Sequence, residues 1–170
     1  MKNIFLLIFL ILFVISCSKG IWYSNNSYRP KNSNFSVVKT PFKHNSLVDN
    51  NYLYMSTKKI VNYDNKIIYN FLGFLKDGRM IANSAENSNL SLDLDKLNSW
   101  ETSSLIGHYN THINNTITTE IFVPNDGGLY IKRNGLIKKD TIIFEENINF
   151  IFKTENRKDT LIKTQYRLLN

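Results

Sequence analysis

The chain has 170 residues, a formal net charge of +7, 42% hydrophobic residues and one cysteine. That length suffices for one domain with its own core, and a single cysteine excludes an internal disulfide. The basic residues are scattered (Lys58-Lys59, Lys138-Lys139, Arg157-Lys158) with no stripe of alternating aromatic and basic side chains, which argues against a nucleic-acid surface.

In chain order, Met1-Lys2-Asn3 precedes an uncharged apolar run from Ile4 to Ile15. One positive charge before a short apolar core is a secretory pattern. As a helix this run reaches only about 18 Å against the ~30 Å hydrocarbon layer, too short to span it. The run ends Val14-Ile15-Ser16-Cys17, which resembles the lipobox of bacterial lipoproteins. That resemblance implies a signal peptide over 1–16, cut before Cys17, and a Cys17 that carries lipid (diacylglycerol and a further acyl chain such as palmitate). Loss of Lys2 with the leader lowers the charge from +7 to +6. Ser18 is not the aspartate that retains lipoproteins at the inner membrane, and no acidic export tag follows. The expected location is therefore the outer membrane, on its periplasmic face, with the membrane as first partner.

Residues 17–34 are rich in Ser, Asn, Lys, Tyr and Pro and read as a polar tether. A single β-domain is expected over 35–170. Phe35 to Val38 and Tyr52 to Met55 are short candidate strands. Lys66 to Leu75 is apolar on both faces, with Ile67, Tyr69, Phe71 and Leu75 on one and Ile68, Leu72 and Phe74 on the other. Asp77-Gly78 is a hairpin signal, followed by a return strand from Arg79 to Asn83. Residues 84–104 fit an extended excursion or one to two helical turns. Leu105 to Ile113, an Asn114-Asn115 turn and Thr116 to Val123 form the clearest hairpin. Leu129 to Ile137 follows, with Asn134-Gly135 expected as a bulge or bend. Strands at Asp140 to Glu145, Ile148 to Phe152 and Thr160 to Leu169 complete the set, with the polar Glu155 to Lys158 separating the last pair. Many short strands with closely spaced turns predict an all-β fold, an antiparallel barrel or half-barrel. In the central hairpin Tyr109, Thr111 and Ile113 should face inward, and the polar set His108, Asn110 and His112 should face water.

The segments FLKDGRMI (Phe74 to Ile81), GHYNTHINNTITTEIF (Gly107 to Phe122) and LYIKRNGLIKKDTIIF (Leu129 to Phe144) are similar to uncharacterised lipocalin-like lipoproteins of Gram-negative bacteria. Gly107, Tyr109, Tyr130, Gly135, Ile137, Asp140 and Thr141 carry the match, which covers residues 66–145. It implies a barrel; fold alone does not assign an activity.

Chemistry-bearing motifs are few. His108 and His112 are four apart, but on a strand that spacing is about 13 Å, too far to share a metal. No nucleophile elbow, zinc-protease motif or phosphate loop occurs. The expectation is no enzyme, no metal and no cofactor. Most aromatic side chains are expected in the core. A subset, Tyr69, Phe71, Tyr109 and Tyr130, is the candidate lining of a ligand pocket. The expected function is a membrane-anchored binding module of the cell envelope that holds an apolar small ligand or docks a partner protein. The alternative is a structural or assembly lipoprotein of an outer-membrane complex.

Overall fold

The structure is a computed structural model that describes residues 20–22, 28–42, 47–86, 94, 98–124, 128–150 and 153–168, with backbone alone at 20–22, 28, 146–150 and 153–157. The leader 1–16 and Cys17 lie outside the described residues. The chain divides into two compact units, Met1–Asn34 and Phe35–Asn170. In the first, β1 (Gly20–Trp22) pairs antiparallel with β2 (Tyr28–Pro30), and a 3-10 turn follows at Asn32–Asn34. The second unit is an all-β closed barrel of eight antiparallel strands.

These strands are β3 (Tyr52–Val61), β4 (Ile67–Phe74), β5 (Arg79–Glu86), β6 (Leu105–Thr111), β7 (Thr116–Val123), β8 (Leu129–Lys138), β9 (Thr141–Phe150) and β10 (Lys153–Arg167). Each pairs with its chain neighbours, and β10 closes on β3, an up-and-down meander. The turns at one end, here the lower end, use residues that tolerate positive φ: Gly78 (86°), Asn115 (60°) and Lys139 (52°). Leu75 N–H donates to Arg79 O at 2.8 Å across the first of these, and His112 N–H to Thr116 O at 2.9 Å across the second.

Alternation along the strands builds two apolar layers. The inner one takes Tyr54, Leu72, Phe74, Met80, Tyr109 and Phe144 among others, drawn from the whole circle of strands. The outer one lies on β3, β4, β5 and the end of β10: Leu53, Phe71, Ile81, Ala85 and Leu168 pack with Leu94 and with Trp100. The connection between β5 and β6 thus supplies cover for one wall. Of its residues 84–104, 87–93 and 95–97 lie outside the described residues.

Several local expectations change. Phe35 to Val38 is not a strand; a 3-10 turn runs Val37–Lys39 over the outside of β6 and β7. β3 continues past Met55 to Val61 and β5 past Asn83 to Glu86. Asn134-Gly135 forms no bulge, because the β7–β8 register runs unbroken through Thr118↔Asn134 and Ile117↔Gly135. Gly135 is instead where the Phe144 ring seats, since a Cβ there would stand 2.8 Å from that ring. Glu155 to Lys158 does not interrupt the strands; it lies inside β10, paired with β9 from Lys153↔Phe150 to Ile162↔Thr141. Ile113 is not inward; it stands fully exposed in the turn.

Candidate binding site at the barrel mouth

The two ends of the barrel are built differently. The lower end is plugged by the segment that enters β3. Val48 joins the inner core. Asn50 Nδ2 donates to Phe74 O at 2.9 Å and to the Tyr109 hydroxyl at 2.8 Å, and that hydroxyl donates to Leu75 O at 2.8 Å. The Tyr54 hydroxyl accepts Asp49 N–H at 2.9 Å. The rings of Phe42, Tyr109, Phe74 and Tyr54 stack edge-to-face in series with centroids 5.0–5.5 Å apart. Burial pushes the Tyr109 phenol up to about 12 and raises that of Tyr54, so both stay neutral hydrogen-bonding groups. Below the plug an open depression of about 600 Å³ is bordered by Lys76, Lys139 and a paired set of charges, in which Lys163 Nζ lies 2.6 Å from Asp140 and 3.5 Å from Asp49.

Among the described residues the upper end carries no comparable plug. Between Met55 and Lys59 the β3–β4 register shifts, and the β3–β10 ladder does not extend past Ser56↔Leu161. The two strands therefore diverge at Ser56, as a bulge there re-aims β3. Asp159, on β10 just above that point, is held from two sides. Ser56 Oγ donates to Asp159 Oδ1 at 2.7 Å, and Arg133 Nη2 to Asp159 Oδ2 at 3.0 Å. The ion pair is mostly buried, with side-chain exposures of 15% and 18%. The Arg133 guanidinium also lies 4.5 Å from the Phe144 ring centroid, a cation–π contact that seats it on the inner core. Below and beside the pair is a cavity of about 250 Å³, with Leu72, Ala82, Ile121 and Leu161 among its apolar walls. At its rim Ser84 Oγ donates to Asn70 Oδ1 at 2.7 Å.

Of the expected pocket-lining rings, the structure does not bring the four together. Tyr109 points inward but is locked into the plug. Phe71 borders the cavity, yet it packs in the outer layer with Leu53 and Ile81. Tyr69 shares that outer face, paired across from Ala85. Tyr130 is outside as well, edge-to-face with Phe35 at 5.0 Å and beside Phe122 at 5.1 Å. The groups that give the mouth its chemistry, Arg133, Asp159 and Ser56, carry a signal in the sequence. Arg133 stands in step with Ile131, Gly135 and Ile137, and Asp159 in step with Leu161, so both are charges on an apolar, inward face.

The polar face of β6 is not wet. His108 and Asn110 are buried. Phe35 packs edge-to-face on His108 at 4.7 Å, and Trp100 lies beside it at 6.1 Å. Asn110 Nδ2 donates to Pro41 O at 3.5 Å. Opposite His108 on β7, Glu120 Oε2 accepts Val37 N–H at 2.8 Å and Ser36 Oγ at 3.0 Å, which straps the 35–42 segment to the wall. Burial lowers the His108 imidazole to about 4, with Asp77, Arg79 and Glu120 as the nearest charges. His112, by contrast, is exposed at the turn and shares a hydrogen bond with Thr118 at 3.2 Å.

Among the described residues no three His, Cys, Asp or Glu side chains come together to hold a metal ion, and no helix is long and apolar enough to cross a membrane. No protein-family model, curated protein or solved structure matches the chain.

Proposed function

We propose that this chain is a membrane-anchored binding module of the bacterial cell envelope, tethered through lipid on Cys17 and performing no catalysis. Its ligand sits at the barrel mouth. The observation that carries this reading is the cavity of about 250 Å³, apolar on one side and faced by the Ser56–Asp159–Arg133 cluster on the other. Its size lies just under the ~300–1,000 Å³ of drug-sized pockets, so the ligand is compact: an apolar body with a hydrogen-bonding head. The leader, the Val14 to Cys17 segment and the resemblance to lipocalin-like lipoproteins support the anchored, periplasm-facing aspect of the proposal.

The test is native mass spectrometry of the protein taken from its own membrane, beside an Ala82→Leu variant that fills the cavity. The expected result is a processed chain beginning at lipidated Cys17, with a small retained mass that the variant lacks. A retained polypeptide would replace the small ligand by a protein partner, and an empty mouth in the parent chain would end the reading. An unmodified N-terminus elsewhere would remove the anchor.

A further inference from the structure

Four exposed apolar side chains stand together on one projection at the upper end. Past Ser56, β3 has no β10 partner, and β4 meets β5 only from Ile68↔Glu86 onward. Of the tip's last pairs, Ile60↔Ile68 and Val61↔Ile67, only the second lies beyond the β4–β5 ladder, so that pair and the 62–66 turn extend past it as a two-stranded ribbon. Tyr63 and Val61 are 107% and 62% exposed, and Ile60 and Ile67 39% and 37%. An isolated ribbon gains nothing by showing such residues to water. Lys58 and Lys59 precede them and Lys66 lies within the turn region, all three exposed.

We propose that this hairpin tip, residues 58–67, docks into the interface of a lipid bilayer bearing anionic headgroups. Three features favour a bilayer over another protein. First, the ribbon is graded: the apolar Val61, Tyr63 and Ile67 flank the polar turn residues Asp64 to Lys66, and Lys58 and Lys59 stand on the barrel side. That suits the interfacial layer, where a tyrosine ring, polar turn groups and lysines all meet headgroups. Protein interfaces, in contrast, are depleted of lysine. Second, the turn bonds to itself, so fewer of its backbone groups need water, while the unpaired β3 edge limits the tip to the hydrated interface rather than the hydrocarbon. Asn62 N–H donates to Lys66 O at 3.0 Å and Asn65 N–H to Asn62 O at 3.1 Å. Asn62 Oδ1 takes the N–H groups of Asp64 at 3.0 Å and Lys66 at 2.8 Å. Third, the charge is complementary. Three lysines stand against Asp64 and against Glu86, which pairs with Lys66 at 3.0 Å, so the tip is net positive by one charge and Lys58 and Lys59 are its groups for phosphates. Docking at this end turns the barrel mouth toward the bilayer. The inference rests on the hairpin and stands whether or not the mouth holds a ligand.

The experiment uses the full chain with Tyr63→Cys carrying an environment-sensitive nitrobenzoxadiazole probe. The same probe at Asn114→Cys, on the opposite end of the barrel, is the reference, and the labelled parent chain accounts for any free Cys17 thiol. On vesicles of phosphatidylethanolamine and phosphatidylglycerol, the probe at 63 shifts to the blue and is quenched by brominated acyl chains, while the probe at 114 stays aqueous. Val61→Asp together with Ile67→Asp abolishes the shift. Lys58→Gln and Lys59→Gln each lower the ratio of buried to aqueous probe about fivefold on these vesicles. On pure phosphatidylcholine the lysine dependence disappears. A probe at 63 as aqueous as that at 114 overturns the proposal. So does a blue shift that appears without lipid and grows with protein concentration, which would assign the tip to a second copy. Recovery of the chain with the vesicles is scored separately, so loss of the Cys17 anchor and failure of the hairpin to bury are distinguishable.

Discussion

The two ends of the barrel use the same inward register for opposite purposes. At the lower end the inward positions carry Tyr54, Phe74 and Tyr109, and the hydroxyls of the two tyrosines find partners on the plugging segment. At the mouth the inward positions carry Ala82, Ser56, Asp159 and Arg133, smaller or charged, and a cavity remains. The difference follows from the sum of side-chain volume and polarity at equivalent positions. Large rings, two of them with a hydroxyl to anchor, close the lower end, whereas a charged pair that must keep its hydrogen bonds borders a cavity near the other.

The sharpest way to break this comparison is to remove a ring from the plug. Tyr109→Ala deletes a buried ring and leaves Asn50 without one of its acceptors. The expected loss is about 3–5 kcal/mol, a large fraction of a domain's stability. Urea denaturation measures it, with Tyr109→Phe as companion to separate ring from hydroxyl. A loss below about 1 kcal/mol would mean that the lower end is not a closed core.

Tyr109 also marks what the sequence made legible. The turns at Asp77-Gly78 and Asn114-Asn115, the meander and the inward sense of Tyr109 all follow from local alternation and turn chemistry. The pocket rings did not follow. β4 is apolar on both faces, and alternation alone does not say which face is inside; the answer depends on Leu94 and Trp100, which cover the outer one. The same holds for His108: its polar neighbours suggested solvent, but Phe35, more than seventy residues earlier in the chain, lies on it. Glu155 to Lys158 misled for the converse reason. Beyond the ladders to β3 and β8, β9 and β10 pair with each other, and backbone pairing, which needs no apolar side chain, carries the polar stretch along.

The covered outer wall gives the next largest effect. In the unfolded chain the imidazole of His108 titrates near 6.5, and in the fold burial holds it at about 4. Between those values the unfolded chain binds the additional proton. Stability is therefore full above pH 6.5, falls as the pH drops toward 4, and loses nothing further from this group below that. The loss reaches as much as about 3 kcal/mol. His108→Phe keeps an aromatic ring between Phe35 and Trp100 and removes the titration. Denaturation at pH 7 and pH 4.5 should show a much smaller difference for the variant than for the parent. Equal differences would mean that His108 meets water in the native state and that the 35–42 strap does not cover it.

At the mouth the expected effect is smaller, because the charged pair there is neither fully buried nor fully wet. Breaking a buried ion pair costs about 3–5 kcal/mol, and a surface pair contributes about 0–1. With 15% and 18% of the side chains exposed, Arg133 and Asp159 fall between these limits. Asp159→Asn keeps the size and one hydrogen-bonding oxygen for Ser56 but removes the carboxylate that pairs with the guanidinium over the Phe144 ring. The expected loss is about 2 kcal/mol. Adding Arg133→Met should restore some of it, since the double change removes both charges of the pair and leaves a side chain that the apolar wall accepts. A double-mutant cycle in urea reads the coupling directly. If Asp159→Asn alone has no effect, water already screens the pair, and the charge cannot be what keeps β3 and β10 joined at Ser56. The gap between β3 and β10 would then rest on the β3 bulge alone, and the polar side of the cavity would have no fixed geometry.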